Sequence, residues 1–194
     1  MALNLNKIRN PEMKLWLESE LGHAPNLVDL GKPILADADR IVTIANMKNG
    51  TYTIAAQPDV PRNITVTNAT VAVGADTLGI ITVTGTNVNG QVITEVITPA
   101  EADISAGRKC FKTITSVVGS GWTIAGGNDT ITVGVGSALG LPFIITDNAQ
   151  VAYTIVGTAI TTPTVDHDDA DISECSVSTG TYDGSLRVFA TCLV

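Results

Sequence analysis

The 194-residue chain is expected to be all-β, a β-sandwich of about nine or ten short, mainly antiparallel strands with an N-terminal arm holding one short helix. Three observations lead there. Only 15% of residues are charged and 4% aromatic, against roughly 25% charged in ordinary soluble domains. The difference is taken up by Thr, Val, Ile, Ala and Gly, and side chains branched at Cβ fit a pleated surface better than a helix. Short runs of alternating apolar and polar residues recur every 8–12 residues or so, broken by Gly, Pro and Asn, the spacing of sandwiches and barrels.

Residues 1–38 differ from the rest. Residues 7–21 hold most of the helix formers, and Asn10, Pro11 and Glu12 have the chemistry of an N-cap, a first helical residue and a first-turn acid. Gly22 would close a helix of about three turns. Pro25, Gly31 and Pro33 then imply extended, irregular chain. An isolated helix this short is marginal in water, so it should dock, and Leu15, Trp16, Leu17 and Leu21 are the apolar side chains with which it would bind a partner or its own domain.

Residues 39–194 form the second expected domain. RIVTIA (residues 40–45) reads as a strand, and Asn49–Gly50 as a tight turn into TYTIA (51–55). RNITVT (62–67) alternates cleanly. LGIITVTGT (78–86) and VITEVIT (92–98), joined by Asn87-Val88-Asn89-Gly90, make the clearest hairpin in the sequence. In its second arm Glu95 should face solvent. FKTITSVV (111–118), DTITVGV (129–135), residues 150–156 and LRVFAT (186–191) complete the strands. Gly140-Leu141-Pro142 marks a turn or a strand-edge interruption, since Pro cannot donate to a ladder.

Composition narrows function mainly by exclusion. Net charge is −8, with eleven basic residues scattered along the chain. A nucleic-acid binder needs clustered Lys and Arg to displace counterions, so neither direct nucleic-acid contact nor attachment to an anionic membrane is expected. Residues 1–10 lack the charged-then-apolar order of a secretory leader, and no apolar run reaches the ~18 residues of a membrane span. The chain reads as soluble and made in a cytoplasm. Cys110, Cys175 and Cys192 are an odd, unclustered set without zinc spacing and read as small buried hydrophobes. Cys175 and Cys192 could approach on neighbouring strands, although a cytosol disfavours their pairing.

Catalytic motifs are not found. The two histidines, His23 and His167, sit in no metalloprotease, serine-hydrolase or phosphate-loop pattern. The Gly-rich pieces at residues 125–129 and 133–140 lack a following Lys-Ser/Thr and a helix start. Asp166, His167, Asp168, Asp169, Asp171 and Glu174 offer hard oxygen ligands suited to Ca²⁺, but they break the EF-hand pattern and read as a solvated acidic loop. Tyr52, Trp122 and Tyr153 could in principle stack on sugars, though packing is the commoner use of so few aromatics. An enzyme is not expected, and no cofactor is.

The order of motifs over residues 58–141 is more specific than composition. PRNITVT is followed by TVTGTNVNGQVITEVI, then by an aromatic-Lys-Thr-Ile-Thr strand and by DTITVGVG. This arrangement resembles a module of tailed-bacteriophage virion proteins, in particular capsid decoration proteins of the head-stabilising and head-fibre kind. The resemblance covers a little under half the chain and brings no catalytic residue with it. It implies a β-sandwich bound to the outside of a phage head, with the major capsid protein as partner, a homo-oligomeric arrangement on the particle, and residence on the virion after synthesis in the host cytoplasm. On this reading residues 1–38 anchor and residues 39–194 are displayed. A tail-tube or neck protein, and a carbohydrate- or host-surface-binding sandwich, are the competing readings.

Overall fold

The computed structural model describes residues 26–69, 77–123, 129–180 and 182–192. The helix expected over residues 7–21, with Leu15, Trp16, Leu17 and Leu21, lies outside them. The described chain is predominantly β, as the composition requires. Fourteen strands are arranged in three antiparallel sheets, and helix among these residues is confined to two 3-10 turns, Asn148–Gln150 and Ile172–Glu174.

The first sheet has four strands in the order β1 (Asn26–Gly31), β14 (Val188–Cys192), β10 (Val151–Val156) and β11 (Ala159–Thr161). The second has six. β12 (Thr164–Asp166), β13 (Ser176–Ser178), β9 (Thr130–Gly140), β4 (Arg62–Ala69) and β7 (Ile104–Phe111) follow in that order, and β2 (Asp37–Asn46) also pairs with β9. The third sheet runs β3 (Gly50–Thr51), β8 (Thr113–Ser120), β5 (Ile80–Thr86) and β6 (Val92–Ile97).

Strand β9 organises the molecule. One flank pairs with β4 over most of its length; the other is shared, β2 pairing along Thr130–Val135 and β13 at Leu139 and Gly140. Its inward residues therefore feed two cores. Ile131, Val133 and Val135 join Ile41, Ile64, Val66, Ile81, Val83, Phe111 and Val117 between the six-stranded sheet and the β3-β8-β5-β6 sheet. Leu139 joins Leu30, Leu141, Ile145, Val177 and Val188 between the six-stranded sheet and the β1-β14-β10-β11 sheet.

The predicted hairpin is β5–β6, in continuous register from Ile81↔Ile97 to Thr86↔Val92. Its turn is fastened by Asn87, whose Oδ1 accepts from the amides of Asn89 and Gln91, both at 3.0 Å. Gly90 there has φ of +80°, a conformation costly to a residue with a Cβ.

Several elements depart from expectation. Residues 26–31 form a strand, paired with β14, rather than irregular chain, so part of the expected arm contributes to a sheet. Residues 51–55 are not a strand beyond Thr51, because Tyr52 turns into the first core and is only 3% exposed. There Gln57 replaces ladder bonds with its side chain, donating to the Ile114 carbonyl at 3.0 Å and accepting from the Ile114 amide at 2.7 Å. The strand expected at 111–118 is two strands, β7 and β8, meeting at Lys112. β9 continues to Gly140, five residues beyond the alternating segment that suggested it.

A buried arginine ties these parts together. Arg62 on β4 is wholly buried. Its Nε donates to the Gly136 carbonyl at 2.8 Å and Nη2 donates to the same oxygen. Nη1 donates to the Ile34 carbonyl at 3.0 Å and pairs with Asp59 at 3.2 Å. Asp59 in turn accepts from the Ile34 amide at 2.8 Å, and the guanidinium lies 5.9 Å from the Tyr182 ring centre. One planar fork thus holds β4, β9 and the chain between β1 and β2.

Candidate functional site

Two surface features stand out, a charged seam where the edges of two sheets meet and an uncharged sheet face beside it. Both are set by the register of β6. Pairing of Val83 with Glu95 and of Ile81 with Ile97 places Ile93, Glu95 and Ile97 on the inner side of β6 and Val92, Thr94 and Val96 outside. Glu95 therefore points inward, not to solvent as its charge suggested. Its Oε1 accepts from the backbone amides of Arg108 at 2.6 Å and Lys109 at 3.2 Å.

Those amides lie on β7 where its pairing with β4 slips: Asn63 pairs with Cys110, but Thr65 pairs with Ala106. Asn63 holds the other flank of the bulge, donating to the Gly107 carbonyl at 3.1 Å and accepting from the Ala138 amide at 3.1 Å. A Cβ on Gly107 would overlap the Glu95 carboxylate, so a larger residue there would displace that side chain from the bulge. An acid turned inward over an open strand edge blocks further strand addition there.

Beyond the bulge, the acidic loop closes over β7. Arg108 pairs with Asp166 at 3.0 Å and with Glu174 at 2.7 Å, and Lys109 pairs with Asp171 at 2.7 Å. Asp168 accepts from the amides of Ala170 and Asp171, both at 2.8 Å. Asp171 also accepts from the Ser173 amide at 2.9 Å. His167 Nδ1 lies 2.9 Å from Asn148 Oδ1. These carboxylates are engaged by basic side chains and by their own backbone, and among the described residues no set of three acid, His or Cys side chains is placed to hold a metal ion. A groove of about 260 Å³ runs beside the seam, with Asn63, Arg108, Thr164, Asp166, Ser176 and Ser178 along it.

Electrostatics in the seam pull in two directions. Burial pushes the Glu95 carboxyl above its usual range, against the pull of the Arg108 and Lys109 amides. Its Oε2 is buried without a hydrogen-bond partner, which places the proton's preferred position. Asp171 feels desolvation too, yet hydrogen bonds from Lys109 and Ser173 hold it below the usual range. The folded state thus binds a proton at Glu95 more tightly than the unfolded chain does, and stability is gained as pH falls through that titration. Asp171 has the opposite sign, its contribution being lost as pH falls through its lowered value. We expect the stability of the natural chain relative to Glu95→Gln to rise as pH falls from neutrality, beginning above the ordinary carboxylate range. Urea unfolding across that window measures it; a flat or falling difference contradicts the placement of Glu95.

The remaining sequence candidates resolve individually. Tyr52 is inside the first core, Trp122 packs against that core, and Tyr153 lies on β10 of another sheet, so the three share no stacking platform. Cys110, Cys175 and Cys192 are free and buried, and the last two lie in the second core without pairing. Burial raises the Cys110 thiol strongly and pushes Cys192 up to about 12, which keeps both as unreactive thiols at neutral pH. No described helix is long and apolar enough to cross a membrane. The partner-binding candidates Leu15, Trp16, Leu17 and Leu21 fall outside the described residues.

The bulge and its ion pairs went unrecognised in the sequence because residues 95, 108 and 166–174 meet only through tertiary structure. The one local sign was Gly107 followed by two bases, a break in strand character. In comparisons with known proteins the chain matches no family model, no curated protein and no solved structure.

Proposed function

We propose that this chain is a non-enzymatic virion structural protein that binds the outside of a bacteriophage capsid and decorates or stabilises it. The observation that carries the reading is that residues 58–141, whose order of motifs resembles phage decoration modules, supply β4 to β9 and with them most of the first core. The six-stranded sheet and the β3-β8-β5-β6 sheet are read as the two layers of the displayed β-sandwich within residues 39–194. The anchoring arm, expected over residues 1–38, is read as residues 1–25, since Asn26–Gly31 pairs into a sheet, with Leu15, Trp16, Leu17 and Leu21 buried against the major capsid protein because large apolar side chains dominate interface energetics. Binding across subunit boundaries would stabilise the shell by mass action, and several copies would sit together on one particle. No catalytic step and no cofactor enter this reading.

The test is saturable binding of the full chain to undecorated capsids of its virus, compared with a chain beginning at Asn26. The cut is placed there because β1 pairs with β14, and removing it would damage the sheet as well as the arm. Binding by the full chain and its loss on truncation support both the decoration reading and the anchor. Equal binding by the shorter chain moves the contact onto the sheets. No binding by either, with rings or tubes formed by the protein alone, would favour a tail or neck component.

A further inference from the structure

The outer face of the β3-β8-β5-β6 sheet carries no charge. Its strands contain one ionisable residue, Glu95, and that one is turned inward onto β7. The registers across β6, β5 and β8 assemble the face in rows: Val96, Thr82 and Val118; Thr94, Thr84 and Ser116; Val92, Thr86 and Thr113. Ile80 extends it opposite Ser120. Val92 and Val96 are 77% and 56% exposed, on the surface of a protein with net charge −8. From this we infer that the face is a self-association surface, taking the same face of a second copy.

Three observations select that occupant. The first is charge: two copies at −8 repel through most orientations, whereas this face brings no charge of either sign into the contact, and like-charge juxtaposition is what it avoids. The second is desolvation. Thr84 and Thr94 hydroxyls lie 3.3 Å apart, those of Thr86 and Thr113 lie 2.7 Å apart, and Thr115 donates to the Thr84 carbonyl at 3.1 Å. Their hydrogen bonds are made within the sheet, so covering the face leaves few polar groups unpaired. The third is the blocked edge. Glu95 and β7 lie against β6, so association proceeds face to face, as two sheets pack about 10 Å apart.

The extent of the face fixes the strength. Three strands of about seven residues, β6, β5 and β8, cover roughly 14 by 23 Å, about two-fifths of the ~800 Å² that each partner gives to a standard interface. Free protein should therefore associate weakly and reversibly, and strongly only where copies are concentrated on a common surface. The inference concerns the protein alone and stands apart from the capsid reading.

Sedimentation of the full chain without capsids, over a series reaching about 1 mM, the weak end of specific association, tests it. The expected result is a reversible shift from monomer toward dimer that strengthens with added salt, because salt screens the −8 repulsion while no attractive ion pair is lost. Val96→Lys and Thr94→Lys should each weaken the association at least tenfold, whereas Ile44→Lys, on an exposed position of β2, should leave it unchanged. Thr84→Cys, at the centre of the face, should be linked to its copy in a second molecule by a bifunctional thiol reagent with a spacer of about 10 Å, the separation of packed sheets and too wide for a direct disulfide, the native cysteines being buried. A monomer throughout the series overturns the inference and assigns the face to a different partner. Association untouched by both face variants, or no cross-link through residue 84, overturns it as well.

Discussion

Arg62→Met should cost about 3–5 kcal/mol of folding stability, the loss that follows when one partner of a buried ion pair is removed. The side chain is wholly buried and serves three acceptors, the carbonyls of Gly136 and Ile34 and the carboxylate of Asp59. Methionine fills much of the volume and satisfies none of them. Arg62→Lys should fare little better, because an ammonium cannot span acceptors arranged for a planar fork. Asp59→Asn in the Met background should recover part of the loss by removing the stranded carboxylate. Urea unfolding reads the effect as a fall of about 2 M in midpoint if the denaturant slope is about 2 kcal/mol per M. A loss below about 1 kcal/mol, the size of an average point substitution, would contradict the role assigned to the guanidinium.

Phe111→Ala is expected to be of similar size, about 3–5 kcal/mol, for a different reason. The ring is wholly buried at the end of β7 and sits between two sheets, its Cδ1 about 3.0 Å from where a Cβ on Gly85 would stand. Truncation opens a cavity in the first core that the flanking sheets cannot collapse to fill, since β5 is held by β6 and β8 and β7 by β4. Phe111→Leu should lose less, as more of the volume is kept. Both variants should still unfold in one transition, because β9 contributes to both cores. Two separate transitions would show that the cores do not cooperate through that strand.

Elements with local causes were legible in the sequence. The β5–β6 hairpin was visible because its turn chemistry and its alternation agree, and β4 because RNITVT alternates without interruption. Elements that depend on distant partners were not. β7 has the sequence ISAGRKCF, in which Gly, Arg and Lys interrupt the pattern; it is a strand because Asn63 and Glu95 hold its bulge from either side. β1 was hidden by its neighbouring prolines and by Gly31, whose φ of +88° lies at the strand's end. TYTIA looked like a strand by composition, but Tyr52 is needed in the core and Gln57 supplies the bonds a ladder would have made. Glu95, an acid mid-strand between apolar neighbours, reads as outward-facing, but the register of β6 turns it inward. The uncharged face could have been read from the sequence once that register was known, since the strands that build it are otherwise composed of Thr, Ser, Val, Ile and Gly.

The pairing of β1 with β14 has a mechanical consequence. Asn26 and Cys192 are direct partners across the first ladder rung, so the start of β1 and the close of β14 stand side by side. A load drawn between them falls on that rung alone and then on the next, opening the pair like a zip. Strands that are dragged lengthwise past one another must instead break all their bonds at once. Pulled at Asn26 and Cys192, the protein should therefore yield at low force, beginning at this pair of strands, while a load entering through β9 would meet partners along both of its flanks.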